Sequence, residues 1–468
     1  MNQLTLPSLQ VAESTNSNWL NIFCVGIVQA SMGAVVVTTT TTLNRVMVIE
    51  LGLPAVVSGF LVSLHYIIQI VRPRLGYGAD QTKRCTPWIV GGMGVLTLGG
   101  VLAALATTWM AENFALGLMT ALIAYCMIGI GVSACGTPLL VLLSKGVGDQ
   151  QRATAATSVW IMMIFGFAVT SIISGKLLDP FSFDRLVMVS VGVSALAMTL
   201  STLSVIGLES RLLRNYSTRH APIADVAVPT SARDEAPSSK NFKQTLALLW
   251  RDEQARLFTF FVFTSMFAYS AQDLILEPFA GLIYRYTPGQ TTQLSGTLHA
   301  SVLVGMLLLA FIGSRWANGR LGRVSTWMSW GCVLSALGML GLSSAGLISD
   351  NFYLVPLTPI LLILGVGNGL FSIAAISTMM RLATETLKVN SSSANVSIQP
   401  GIRMGLFGAA QALAFGLGGI IGTASSDLSM RLMGDAGWAY SSVFALEAVM
   451  FVCAAWIARR VQRIETEM

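Results

Sequence analysis

Apolar residues run through this chain in long blocks, with polar residues collected in short stretches between them. Blocks of about 20 apolar residues have the length of a bilayer-crossing helix. They predict twelve spans, at 19–42, 54–75, 88–108, 114–144, 154–177, 186–208, 257–280, 293–313, 326–348, 354–383, 402–424 and 440–458. The same pattern divides the chain into an N-terminal tail (1–18), a six-helix half (19–208), a linker (209–256), a second half (257–459) and a C-terminal tail (460–468). Within the linker, 221–240 is rich in Ala, Pro, Ser and Asp and reads as flexible. The stretch 241–256 alternates apolar and charged residues like a short surface helix. The predicted class is all-α and integral to the membrane.

Composition agrees with the pattern. Of 468 residues 54% are hydrophobic and 11% charged, against about 25% charged in soluble domains. The first 18 residues hold no Lys or Arg, so no cleavable signal peptide is expected. Six cysteines lie scattered without metal-ligand spacing and read as small hydrophobes. The basic residues give an orientation, because cytoplasmic loops retain Lys and Arg. Of 28, 23 fall on the side that carries both termini and the linker, and 5 on the other. Both termini are therefore expected in the cytoplasm, and no nucleic-acid-binding face emerges.

The halves repeat each other. Arg84, Trp88, Gly92, Leu98 and Gly99 recur as Arg323, Trp327, Gly331, Leu337 and Gly338 at an offset of 239, and Gly129-x-Gly131 matches Gly367-x-Gly369 at 238. Two six-helix repeats joined by an inner loop predict the major facilitator architecture, a bundle of twelve helices in two pseudo-symmetric halves. The loop after span 2 adds a G-x-x-x-D…R signature at Gly76, Asp80 and Arg84, with Gln81 and Lys83 departing from the usual pattern.

Charge inside the spans marks the candidate chemistry. The stretch QDLILEPFAG (272–281) places Asp273 and Glu277 four residues apart, on one helical face. Each carboxylate in hydrocarbon costs about 2.5–3.5 kcal/mol. The pair reads either as a proton-linked or ligand-binding site, or as a structural bracket whose carboxylates cap backbone N–H groups or meet a basic residue. Arg45 is the first candidate partner, and Glu50 lies near it. Both follow a run of five threonines (38–42), on a predicted interfacial extension of span 1. Thr hydroxyls bonding back to carbonyls bend such a helix. Pro278 is expected to end or kink span 7. His65 and His299 fall in the corresponding spans 2 and 8; each reads as an axial ligand to a tetrapyrrole metal or as a link between helices. Glu447 lies in span 12, facing a partner helix of this chain or another. Gly418-x-x-x-Gly422 reads as internal packing. No phosphate loop, zinc-protease or serine-elbow motif is found, and no enzymatic role is expected.

Four stretches carry a resemblance: TLNRVMVIELGLPA (42–55), RPRLGYGAD (72–80), QDLILEPFAG (272–281) and GAAQALAFGLGGIIGT (408–423). In order and across all twelve spans, they are similar to the PucC/LhaA family of phototrophic bacteria. The stretch 64–74 leans towards its core-antenna, LhaA-like branch. The resemblance implies an assembly factor for light-harvesting antenna complexes that binds or delivers bacteriochlorophyll, with no metal of its own. Antenna polypeptides are the implied partners, with pigment-synthesis enzymes and the reaction centre beside them. The implied location is the bacterial inner (intracytoplasmic) membrane. The other reading is a proton-coupled transporter or flippase of a lipophilic molecule, driven through Asp273 and Glu277.

The basic-residue split makes a direct prediction. A cysteine introduced at position 230 should react only with reagents that reach the cytoplasm, and one within 281–292 only from the opposite face. Labelling of position 230 from outside would reverse the orientation.

Overall fold

The computed structural model describes residues 8–71, 84–147, 152–212, 250, 252–315, 324–348, 355–384 and 400–467. Its helices are α1 (Ser8–Val37), α2 (Ala55–Ile68), α3 (Thr86–Glu112), α4 (Phe114–Gly146), α5 (Arg152–Leu178) and α6 (Phe183–Val205), then α7 (Glu253–Ile283), α8 (Pro288–Arg315), α9 (Val324–Ile348), α10 (Leu357–Thr384), α11 (Pro400–Met433) and α12 (Ala436–Glu467). Among the described residues eleven helices are long and apolar enough to cross a membrane, and Ala55–Ile68 is a shorter apolar helix. The chain is a multi-pass membrane protein. Gly76 and Asp80, and nearly all of the 209–256 linker, lie outside the described residues. Arg84 is exposed just before α3.

The packing follows the repeat. In the first half α1 lies against α5 and α6, α3 against α4 and α6, and α2 against α4; the second half repeats every one of these pairs with α7 to α12. The halves join through α2 with α11 and α5 with α8, two contacts that the pseudo-symmetry exchanges. Each half has its own hydrophobic core, and large apolar side chains such as Met188, Leu196, Trp330 and Leu337 are exposed on the outside, where lipid covers them.

Glycines set the closest helix crossings. A Cβ on Gly92 would sit 2.5 Å from Cys135 N, and one on Gly131 would sit 2.5 Å from Leu96 N. The second half does the same at Gly331 against Phe371 N (2.5 Å) and Gly367 against Ser335 N (2.6 Å). Two residues earlier in each helix, Gly129 meets His65 O and Gly365 meets Leu298 O. The equivalent of Gly129-x-Gly131 is thus Gly365-x-Gly367, at an offset of 236. The sequence match to Gly367-x-Gly369 was two residues out of register. Three glycines alternate in α10, and only the neighbours reveal which two correspond. Gly418 and Gly422 pack α11 directly on Phe267 and Ala271 of α7.

Two helices run further than their sequences suggest. The first does not end at its threonines. It continues through a π-helical turn (Thr38–Thr42), Leu43–Arg45 and a second π turn (Val46–Glu50), and stops at Gly52, whose φ of 63° takes the chain out of the helix. Thr38, Thr40 and Thr41 bond back to the carbonyls of Ala34, Val36 and Val37 at 2.7–3.0 Å. The Tyr125 hydroxyl donates to the Thr39 carbonyl at 2.9 Å. Threonines and asparagine keep this segment satisfied without water, so it stays buried. Nor does Pro278 break α7, which runs unbroken to Ile283.

Overpacking a glycine crossing costs about 1–3 kcal/mol. Gly131→Val and Gly367→Val should each lower the melting temperature in detergent, whereas Gly408→Val, where nothing lies within 4 Å, should not. Equal effects at all three positions would refute this account of the crossings.

Candidate functional site

A proline inside a helix removes the N–H that would bond the carbonyl four residues back. In α7 that carbonyl belongs to Leu274, and Asn44 Nδ2 donates to it at 2.7 Å. The Ser58 hydroxyl then donates to Asn44 Oδ1 at 2.6 Å. One side chain from the end of the first helix thus replaces the bond that Pro278 deletes, and joins α2 and α7 across the two halves. Sequence reading passed over Asn44, and the signal it missed was a buried polar residue beside a helix that contains a proline.

Other polar contacts close the same end of the bundle. The Thr42 and Thr292 hydroxyls meet at 3.2 Å. Asp427 of α11 accepts from the Ala55 and Val56 N–H groups at 2.9 and 2.8 Å, capping α2 from the opposite half. The symmetric position is held by Asp179 at the end of α5, whose carboxylate packs directly on Gly289 at the start of α8. A carboxylate suits a helix N-terminus, where N–H groups lack partners and the dipole is positive.

The predicted charged residues gather here, with different pairings from those expected. Arg45 does not bond Glu277. Its Nη1 forms an ion pair with Glu50 of its own helix, and Nη2 donates to the Tyr286 carbonyl at 2.8 Å. A Cβ at position 281 would sit 3.2 Å from Nη2, so Gly281 makes room for the guanidinium. Glu277 is fully buried, accepts from the Ser295 hydroxyl at 2.6 Å, and feels the Arg45 charge without touching it. Its Oε2 has no hydrogen-bond partner among the described residues.

Asp273, one turn earlier, lies where this packing ends. Its side chain is 18% exposed, and His299 Nε2 stands 3.9 Å behind it. His299 is otherwise enclosed, with Nδ1 held by the Ser295 carbonyl at 2.8 Å and Phe167 edge-on to its ring. Ser295 therefore ties both carboxylates together, through its hydroxyl to Glu277 and its carbonyl to His299. An imidazole that donates from Nδ1 presents a lone pair at Nε2 when neutral. Facing a carboxylate, that arrangement is attractive only when one of the two groups carries a proton. Tyr269 of α7, one turn before Asp273, lies within electrostatic range of Asp273 and of Tyr66 of α2, and the Phe415 ring of α11 packs on Tyr66 and Tyr269 at 5.0 and 6.1 Å.

His65 lies apart from this cluster. It is buried against α4, with Nδ1 held at 2.5 Å by the Val62 carbonyl of its own helix. Glu447 is buried inside the second half, and neither of its oxygens has a hydrogen-bond partner among the described residues. Among those residues, no cluster of three or more His, Cys, Asp or Glu able to hold a free metal ion occurs.

Known proteins place this geometry. A family model described as PUCC protein matches residues 42–466, and the chain belongs to that family. It is 42% identical to the bacteriochlorophyll synthase 44.5 kDa chain of Rhodobacter capsulatus, over 94% of this chain and 95% of that one. It is 25% identical to protein PucC of the same organism, over 92% of this chain and 89% of the relative. Among solved structures, a proton-dependent oligopeptide transporter superposes with a TM-score of 0.65 at 15% identity, covering 95% of this chain and 98% of that one. The nucleoside transporter NupG gives 0.61 at 15%, covering 94% and 99%. These two establish the fold alone, the major facilitator architecture expected from the repeat. The synthase-chain relative corrects one expectation, that the chain has no enzymatic role. That expectation rested on the absence of phosphate-loop, zinc-protease and serine-elbow motifs.

The Asn44 contact predicts a specific coupling. Asn44→Ala should cost about 1–3 kcal/mol by leaving the Leu274 carbonyl unsatisfied. Pro278→Ala restores an N–H to that carbonyl, so the double variant should recover much of the loss in melting temperature. Strictly additive losses would show that the carbonyl is not the point of contact.

Proposed function

We propose that this PucC-family chain carries bacteriochlorophyll within the membrane and delivers it to light-harvesting antenna polypeptides, the core antenna first. The observation that carries the reading is the site at Asp273, within a helix apolar enough to cross the membrane. It combines aromatic surfaces from Tyr66, Tyr269 and Phe415 with a single partly exposed carboxylate. A chlorin is a flat apolar ring with one metal that takes an axial donor, and the residues present fit it. The aromatic rings offer faces for the macrocycle, and oxygen and imidazole donors suit magnesium. The name of the 42%-identical relative supports a position next to pigment synthesis, with synthesis enzymes and the reaction centre as neighbours. The reading places the chain in the inner (intracytoplasmic) membrane with both termini in the cytoplasm.

The transporter reading draws on the Asp273–His299 contact, since a titratable pair within such helices is also what proton coupling needs. The two readings differ in outcome. On gentle purification, the carrier should bring with it bacteriochlorophyll absorption and small antenna polypeptides. Deleting its gene should lower antenna absorption while free pigment is still made, with growth most impaired at low light. Normal antenna together with a proton-dependent flux of a small molecule would replace the carrier by a transporter.

A further inference from the structure

Two histidines are the obvious axial ligands for a pigment magnesium, yet each is engaged elsewhere. His65 is enclosed in the contact of α2 with α4, its Nδ1 on its own helix. His299 has a side-chain exposure of 1%, and its Nε2 points at Asp273. Of His299, Glu277 and Asp273, Asp273 is the one whose side chain is partly exposed, at 18%. We propose that Asp273 is the axial ligand that this chain offers to the magnesium of bacteriochlorophyll, with His299 as the positioning residue behind it. The proposal rests on the pigment-carrier reading and deepens it.

The chemistry of the donor fits. Magnesium is a hard ion and prefers oxygen, and a carboxylate oxygen is the hardest donor in this site. A ring-bound Mg²⁺ is already neutralised by its macrocycle, so an axial carboxylate brings a net negative charge into a medium of low dielectric constant. His299 Nε2 stands 3.9 Å behind the carboxylate and has no hydrogen-bond partner among the described residues. Its Nδ1 contact with the Ser295 carbonyl fixes the ring so that Nε2 faces the carboxylate, the arrangement by which an outer partner orients a metal ligand. Glu277, four residues on, offers the same carboxylate but is fully buried. Tyr269 lies one turn before Asp273 on the same helix and feels its charge, and Phe415 packs on Tyr269, so an aromatic face is at hand for a macrocycle held on Asp273.

The test compares two pigments that differ only in the metal. The full-length protein in nanodiscs is titrated with bacteriochlorophyll a and, separately, with metal-free bacteriopheophytin a. Quenching of its tryptophans reports binding, and the Qx absorption band, which shifts with magnesium coordination, reports the ligand. Wild type should prefer the magnesium pigment. Asp273→Ala should weaken its binding at least about tenfold and change metal-free binding by no more than about twofold. The unchanged metal-free titration shows that the variant is folded. Asp273→Asn keeps a weaker oxygen donor and should fall in between. His299→Leu should weaken the magnesium pigment while keeping the Qx position of an oxygen ligand. If Asp273→Ala keeps the full magnesium preference, or His299→Leu alone abolishes it, the assignment to Asp273 is overturned while the carrier reading stands. Failure of wild type to bind either pigment overturns both.

Discussion

A carbonyl group in hydrocarbon needs a donor, because no water is available to supply one. Pro278 takes away the donor that Leu274 would have had inside its own helix, and Asn44 supplies the replacement from the other half of the molecule. Much else at this end follows from that exchange. For Asn44 to arrive, the first helix must continue past its threonines to Glu50, and the π turns carry it there without exposing backbone. Arg45, the next residue, is then delivered against Gly281, where a side chain would collide with it. α7 runs unbroken through its proline, with the vacancy filled from outside.

The same end is held by a symmetric pair of carboxylates. Asp427 caps α2 and Asp179 packs on the start of α8, so each half reaches across to close a helix of the other. Along with the exchangeable contacts of α2 with α11 and α5 with α8, this makes the join itself obey the internal two-fold. Symmetry is broken by the content of the interface. His65 and His299 lie in corresponding helices but one position out of register, since Gly129 meets His65 O where Gly365 meets Leu298 O; one is absorbed into helix packing and the other faces a carboxylate. The first half offers no counterpart of Asp273, so chemistry is confined to one side of a symmetric frame.

Helix positions, the repeat and the shared face of Asp273 and Glu277 were legible in the sequence, because burial in lipid demands long apolar runs and a helix has a fixed period. Pairings were not legible. Arg45 lies close enough to Glu277 to be felt, and opposite charge made the two look like partners. The nearer carboxylate was Glu50, five residues along a π turn whose wider pitch brings it under the guanidinium. Pro278 looked like a helix end because local rules know nothing of an asparagine 234 residues earlier in the chain. The glycine register was misread by two positions, since three alternating glycines match equally well until their neighbours are known. The aromatic side of the site was missed for a related reason: Tyr66, Tyr269 and Phe415 sit on three different helices.

Asp273 and Glu277 show how one helix separates two uses of the same functional group. They share a face and differ by a single turn, yet Glu277 lies inside the join between the halves and Asp273 at its edge. Glu277 is held by a serine hydroxyl of its own half and by the charge of Arg45 from the other. Where the packing stops, the next carboxylate is left with a histidine behind it and Tyr269 one turn before it. Ser295 contacts both systems, through its hydroxyl on one side and its carbonyl on the other. A shift of α8 that loosens the halves therefore also moves the imidazole behind Asp273. Packing of α8 and the surroundings of the Asp273 carboxylate are coupled through that single residue.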